Sequence, residues 1–233
     1  MRIKEQFEKS ANSYEDYSKV QLFGAKTLIK ELQPSLNTII DLGCGSGRVY
    51  KELIKSGISF NKFIGVDFAK SMLNLHPKGK NVELIRADFN DSKLFKSLRA
   101  DVIVSASALQ WAKDLNQTFK DCANSAKMGY FYIFSANTFK SLHKTIDIKS
   151  PIYTKEEILS SFNSSYNLLK YKEFNYNLKF NTPLEMLKYI KRSGVSGGLN
   201  IGYKKTKYLL EHYPLDYLEF ETLLLVGESR CLK

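Results

Sequence analysis

The 233-residue sequence predicts an α/β fold in which a mostly parallel β-sheet is covered by helices on both faces. Short apolar runs alternate with helix-compatible segments between about residue 38 and residue 134. A glycine-rich loop follows the first run, and each of the first three runs ends at or near an aspartate. Because ligands bind at the carboxyl ends of the strands in open α/β sheets, the same pattern predicts a ligand site there.

The predicted strands are nearly continuous apolar runs, as expected of strands that are buried on both faces. They lie at residues 38–41, 63–66, 82–85, 102–104 and 130–134. Each of the first four is followed by a helix-compatible segment, which favours parallel strands joined by crossover helices.

The flanking segments are predicted mainly as helices. Before Pro34, aromatic residues recur at helical intervals and predict amphipathic helices. After residue 150, Thr154 to Glu157 form a capping-box pattern, and alternation at 172–180 predicts a half-exposed strand. Helices are expected at 183–193 and 203–213, with a last strand at 217–226.

Three regions are predicted along the chain. Residues 1–33 form an N-terminal helical lid segment, and residues 34–136 form the ligand-binding core. Residues 137–233 form a C-terminal half, which contains lid helices at 183–213 and the final strands that complete the sheet.

Composition narrows the class of protein. With 43% apolar and 25% charged residues, the chain is an ordinary globular one. It has no apolar run of about 20 residues and no secretory signal pattern, so we expect a cytoplasmic protein without membrane association. The three cysteines and three histidines are scattered, and no metal site is predicted. The net charge of +11 indicates either an acidic partner or a lysine-rich, solvated surface.

The glycine-rich loop reads Asp41-x-Gly43-x-Gly45-x-Gly47 and lies between the first strand and the first helix of the core. Glycines allow a ligand to approach the backbone closely. The spacing G-x-G-x-G differs from the G-x-G-x-x-G of nicotinamide dinucleotide sites. The preceding aspartate suits the cationic methionine end of S-adenosylmethionine better than it suits a pyrophosphate.

Two further aspartates follow the second and third strands. Asp67, with Phe68 beside it, is placed to accept hydrogen bonds from both ribose hydroxyls. Asp88 is placed to accept a hydrogen bond from the adenine amino group, while the Phe89 ring covers the face of the purine. Either acid alone would also suit a helix N-cap, but together with the glycine loop they indicate a methyl-donor site. Ser105, at the end of the fourth strand, completes the predicted site.

The loop after the fourth strand contains Gln110 and Trp111, the only tryptophan of the chain. Both side chains carry hydrogen-bond donors, and the loop is expected to face the donor methyl group. The alternative is that Trp111 only packs against the lid.

With these motifs in place, residues 38–134 resemble the class I S-adenosylmethionine-dependent methyltransferases. More narrowly, the sequence resembles the malonyl-acyl-carrier-protein O-methyltransferases of biotin synthesis. Four stretches carry this resemblance, at residues 7–14, 108–111, 180–195 and 213–217. It implies a Rossmann-like, mostly parallel seven-stranded sheet with helices on both faces and a helical lid.

The resemblance also implies a reaction. The methyl group of S-adenosylmethionine passes to the free carboxylate of a malonyl thioester on acyl carrier protein, leaving S-adenosylhomocysteine. Such a carboxylate is ionised at pH 7, because its pKa lies near or below about 4, so no general base is needed. Gln110 and Trp111 would bind it as catalytic residues, together with Tyr14 and Gln21 from the N-terminal lid.

A basic docking surface for the acidic carrier is expected at Lys188, Lys191 and Arg192, which share one helical face. We expect a monomer that binds neither nucleic acid nor membrane, since no RNA-binding module or N-P-P-Y tetrad is present. Two alternatives remain: an O-methyltransferase of a free small carboxylic acid or other metabolite, and a non-catalytic scaffold that binds the donor.

Overall fold

The computed structural model describes residues 19–192 and 202–232, except for the Arg192 side chain. The predicted helical segment before residue 19, including the candidate catalytic residue Tyr14, lies outside the described residues. The last residue of the helix predicted at 183–193 also lies outside them.

Seven strands from the described residues form one sheet with the order β3-β2-β1-β4-β5-β7-β6. The strands are β1 Ser35–Leu42, β2 Ser59–Asp67, β3 Val82–Arg86, β4 Ala100–Ala106, β5 Ala126–Phe134, β6 Tyr166–Lys179 and β7 Tyr217–Ser229. Strands β1 to β5 are parallel, and β7 runs antiparallel between β5 and β6. The predicted mostly parallel, seven-stranded sheet is confirmed.

The α-helices found in the described residues flank this sheet. They are α1 Lys19–Ile29, α2 Arg48–Lys55, α3 Lys70–Leu75, α4 Leu115–Ser125, α5 Lys140–Thr145, α6 Lys155–Asn163, α7 Pro183–Arg192 and α8 Gly202–His212. The predicted capping box begins α6, where the Glu157 amide donates to Thr154 Oγ1 at 3.2 Å and the Thr154 amide donates to Glu157 Oε2 at 2.7 Å. None of the described helices combines the length and apolar character needed to cross a bilayer.

One connection differs from the sequence pattern. Between β3 and β4 the chain forms only a single 3₁₀ turn, at Leu94–Lys96. Asp88 and Asp91 bond to backbone amides two residues further on, those of Asn90 and Lys93, at 3.0 Å each. Short acidic side chains compete in this way with helical hydrogen bonding, which explains the missing helix.

Two apolar layers explain why the strands are so continuously hydrophobic. Ile40 points to the layer that contains Phe119 of α4, whereas its neighbour Ile39 points to the layer that contains Leu28 of α1 and Leu53 of α2. Successive side chains of a strand face opposite sides, so a sheet covered on both faces needs apolar residues at nearly every position.

A third apolar cluster joins α7 and α8 to the sheet. Met186 of α7 and Leu209 of α8 share this cluster with Phe134 at the end of β5 and Leu218 at the start of β7. Val20 of α1 belongs to it as well. The helices predicted as lid helices therefore pack at the carboxyl end of β5, beside the first turn of α1.

Candidate active site

A cavity lies at the carboxyl edge of the sheet, where the sequence predicts the ligand site. The glycine loop contributes Gly43 and Gly45 to its wall, and the end of β2 contributes Asp67 and Phe68. The turn after β3, the loop after β4 and helices α1, α2 and α3 form the rest of the wall. The segments that carry the predicted donor-binding motifs therefore meet around one cavity.

The glycine loop is shaped by close approaches that leave no room for a side chain. Gly43 has a φ of 71°, and a Cβ added there would lie 2.3 Å from the Ala108 side chain. Gly47 has a φ of 83° and caps α2, where a Cβ would lie 2.8 Å from the His76 ring. Both positions require glycine, since other residues rarely adopt this backbone and would clash. Gly47 does not line the cavity, so its role is to shape the glycine loop.

Asp67 ties the loop to the second strand. Its two carboxylate oxygens accept hydrogen bonds from the backbone amides of Gly45, at 2.9 Å, and Ala69, at 2.8 Å. The carboxylate is largely buried and lies in the cavity wall. This position suits the predicted binding of the ribose hydroxyls, and it gives Asp67 a second task in fixing the glycine loop.

Asp41 lies behind the cavity wall, completely buried at the end of β1. Neither of its oxygens has a hydrogen-bond partner among the described residues. Burial raises the pKa of Asp41 well above its usual range, and the nearby negative charge of Asp67 raises it further. Asp41 therefore does not contact the cavity directly, and its predicted attraction of the cationic end of the donor stays a prediction.

The turn after β3 places Asp88 and Phe89 in the wall, as the adenine prediction requires. Asn90, which the sequence did not single out, also lines the cavity. Its side-chain amide donates to Asp88 Oδ1 at 2.8 Å, and its side-chain oxygen accepts from the Lys113 amide at 2.7 Å. Asn90 therefore orients the Asp88 carboxylate and joins this turn to the loop after β4.

The loop after β4 departs from the predicted roles. Ser105 is completely buried and donates to the Leu42 carbonyl at 2.8 Å, and Gln110 donates to the Ser107 carbonyl at 2.7 Å. Neither of them lines the cavity, whereas Ser107 and Trp111 do. We therefore assign Ser105 and Gln110 to holding the loop. Nothing in the sequence around Ser107 pointed to this residue.

Helix α1 brings Gln21, which the sequence predicts to bind the substrate carboxylate, to the wall with only 4% of its surface exposed. Gly24, one turn later, allows this approach, because a Cβ there would lie 2.5 Å from the Tyr132 ring of β5. Lys188 and Lys191 are exposed on α7 and do not line the cavity. Their exposure is compatible with the predicted docking surface.

Ionisable groups in the wall are few. Among the described residues they are Cys44, Arg48, Asp67, Asp88 and Lys113, and none is a histidine, glutamate or tyrosine. Burial raises the pKa of the Cys44 thiol well above its usual value, so this group stays protonated at neutral pH. Among its described residues, the wall therefore contains no histidine, glutamate or tyrosine that could serve as a general base, and its only carboxylates are the two aspartates predicted to hold the donor.

Residues 40–134 match the family model described as a methyltransferase domain. Together with the sheet order, this match defines the chain as a class I S-adenosylmethionine-dependent methyltransferase, whose methyl donor is S-adenosylmethionine.

The relatives are more specific. Malonyl-[acyl-carrier protein] O-methyltransferase 2 of Coxiella burnetii is 28% identical over 96% of this chain and 91% of its own length. Malonyl-[acyl-carrier protein] O-methyltransferase of Calditerrivibrio nitroreducens is 23% identical over 94% of this chain and 89% of its own length. A chain of the solved complex between the Haloferax volcanii Trm112 methyltransferase activator and a methyltransferase has the same fold, with a TM-score of 0.62. It is 17% identical over 96% of this chain and 97% of that chain.

Proposed function

We propose that this protein transfers a methyl group from S-adenosylmethionine to the free carboxylate of a malonyl thioester on acyl carrier protein, an early step of biotin synthesis. The observation that carries the proposal is the combination of a buried hydrogen-bond donor with the lack of a general base among the described wall residues. Trp111 Nε1 is buried and has no hydrogen-bond partner among the described residues. An indole N–H can only donate a hydrogen bond, so a ligand bound to it must offer an acceptor, such as a carboxylate.

Methylation of a carboxylate suits a cavity whose described wall residues include a buried hydrogen-bond donor but no general base. A malonyl carboxylate has already lost its proton at neutral pH, since its pKa lies near or below about 4. An alcohol or a protonated amine would need a base to remove a proton. The names of the relatives support the same choice of acceptor.

When bound, S-adenosylmethionine supplies an electrophilic methyl group on a positively charged sulfur. Asp67 would hold the ribose of the donor, and Asp88 with Phe89 would hold its adenine. Trp111 and Gln21 would hold the acceptor, with the basic side chains of Arg48 and Lys113 in the same wall. The protein then acts by alignment and water exclusion, holding the reacting atoms about 3 Å apart.

Recognition of the carrier protein is assigned to α7. Acyl carrier proteins are acidic, and Lys188 and Lys191 are exposed one turn apart on this helix. The buried side of α7 packs with Phe134 and Leu218 at the cavity end of the sheet. An acidic partner bound to α7 would therefore present its acyl group near the cavity.

A competition among acceptors tests the proposal. The protein is incubated with labelled S-adenosylmethionine and, separately, malonyl-carrier protein, malonyl-coenzyme A, free malonate or RNA. We expect the highest kcat/KM for malonyl-carrier protein. Preferred methylation of malonate would favour a free-acid methyltransferase, and donor binding without turnover on any acceptor would favour a scaffold.

A further inference from the structure

Ser107 has an unusual backbone conformation at the carboxyl end of β4. Its φ of 67° lies in the left-handed region, which residues other than glycine, asparagine and aspartate seldom adopt. Two strong contacts hold it there: its amide donates to the Tyr132 carbonyl at 2.7 Å, and its carbonyl accepts from Gln110 Nε2 at 2.7 Å. Backbone strain that is fixed on both sides in this way is characteristic of functional sites.

The Ser107 side chain has no structural task that explains this strain. Its hydroxyl is buried and has no hydrogen-bond partner among the described residues, although Ser107 lines the cavity. Buried polar groups are nearly always paired, so a group without a partner in a cavity wall points to a ligand. A hydroxyl is also free to rotate toward an incoming acceptor.

The second unpaired donor of the cavity wall lies on the same loop. Trp111 follows Ser107 by four residues, across the 3₁₀ turn Leu109–Trp111, and its amide donates to the Ala108 carbonyl at 3.1 Å. Its indole Nε1 is likewise buried without a partner among the described residues. Because an indole can only donate, a ligand shared by the two side chains must be a hydrogen-bond acceptor, which fits an anion and not an ammonium group.

We propose that the Ser107 hydroxyl and the Trp111 indole together bind the carboxylate of the acceptor, and that Gln110 is a positioning residue that holds Ser107 in its strained conformation. This inference rests on the proposed function and adds the anion-binding pair to it. The free carboxylate oxygen forms a bond to the methyl carbon as the carbon–sulfur bond breaks, and the electron pair of that bond goes to the sulfur. The carboxylate loses its charge and becomes an ester, so the two donors hold the substrate more strongly than the product.

The variant Ser107→Gly separates binding from structure. Glycine adopts this backbone without strain, so the midpoint of urea unfolding should equal or exceed that of the wild type. Donor affinity, measured by calorimetry, should stay within about twofold. The KM for malonyl-coenzyme A should rise roughly tenfold or more, as expected when an anion loses a hydrogen-bond donor. Inhibition by the methyl ester product, in which the malonyl carboxylate has become an uncharged ester, should change much less.

Two further variants complete the test. Trp111→Phe should raise the same KM, and Gln110→Ala should raise it while inhibition by the methyl ester changes little. The carboxylate assignment would be overturned by an unchanged KM in a folded Ser107→Gly variant, or by equal losses of malonyl-coenzyme A and methyl ester binding. Either result would leave the proposed function standing. A wild-type protein that methylates no malonyl thioester would instead refute the proposed function.

Discussion

The side-chain oxygen of Asn90 accepts a hydrogen bond from the backbone amide of Lys113 at 2.7 Å. The side-chain amide of Asn90 donates to Asp88 Oδ1 at 2.8 Å. One side chain therefore joins the turn predicted to hold adenine to the end of the loop that carries Trp111. The predicted donor site and the proposed acceptor site are therefore linked by the hydrogen bonds of this residue.

Replacing Asn90 by alanine should disturb both sites at once. Asp88 loses a hydrogen bond and Lys113 loses its acceptor, so we expect donor binding to weaken by about 1 kcal/mol and the acceptor KM to rise severalfold. Calorimetry and steady-state kinetics measure the two effects. Asn74→Ala, at an exposed position of α3, is the matched control and should change neither. Wild-type constants in Asn90→Ala would show that the bridge has no role in binding.

Asp67→Ala should weaken donor binding by about 2 kcal/mol or more, because it leaves buried ribose hydroxyls unpaired and releases the glycine loop. Asp88→Ala should cost less, since stacking on Phe89 survives. A matched control exists at the opposite edge of the sheet, where Asp101 accepts from the Asn37 and Thr38 amides. Asp101→Ala should leave donor affinity unchanged in calorimetry. Unchanged affinity in a folded Asp67→Ala variant would contradict the ribose assignment.

The buried Asp41 predicts opposite effects on stability and on donor binding. Burial and the Asp67 charge raise the pKa of Asp41 in the folded protein. The folded state then holds a proton that the unfolded chain releases, so this residue lowers stability as pH rises from about 4 through the folded pKa. Asp41→Asn removes that loss, and it also removes the negative charge predicted to favour the cationic donor.

Urea unfolding of the donor-free protein from about pH 4 to neutral pH, together with calorimetric titration with the donor, measures both effects. As pH rises, the free energy of unfolding of Asp41→Asn should increasingly exceed that of the wild type. The affinity of the variant for the donor should be lower than that of the wild type. Parallel pH profiles of stability for the two proteins would show that Asp41 ionises normally. Wild-type donor affinity in Asp41→Asn would show that Asp41 does not contribute to donor binding.

Charge reversal on α7 tests the docking surface. Lys191→Glu with Arg192→Glu should raise the KM for malonyl-carrier protein severalfold at low ionic strength and less at high salt. Charges at the rim of an interface act mainly on the association rate, and salt screens them. Malonyl-coenzyme A, which lacks the acidic protein surface, should be affected much less. Lys120→Glu with Lys127→Glu, on exposed positions of α4 and the amino end of β5, is the control of equal charge. Equal losses on both substrates would mean that the α7 residues shape the pocket.

The sheet and the donor motifs were predictable because their signals are local. Apolar runs such as Ile39 and Ile40 reflect burial on both faces, and the glycine loop needs residues without side chains. The acceptor side was less predictable. The strain at Ser107 depends on Tyr132 and Gln110, and the role of Asn90 depends on a contact with a residue 23 positions away. The contacts of Ser107 with Tyr132 and of Asn90 with Lys113 arise only when the strands assemble.

The product formed from malonyl-carrier protein tests the central claim most directly. Intact-mass spectrometry of the carrier after incubation with S-adenosylmethionine, followed by mild alkaline hydrolysis, locates the added methyl group. We expect one added methyl group on the malonyl-loaded carrier, which alkali removes as methanol, and none on the acetyl-loaded carrier, which has no free carboxylate. Methylation of both carriers, or a methyl group that resists alkali, would contradict carboxylate methylation.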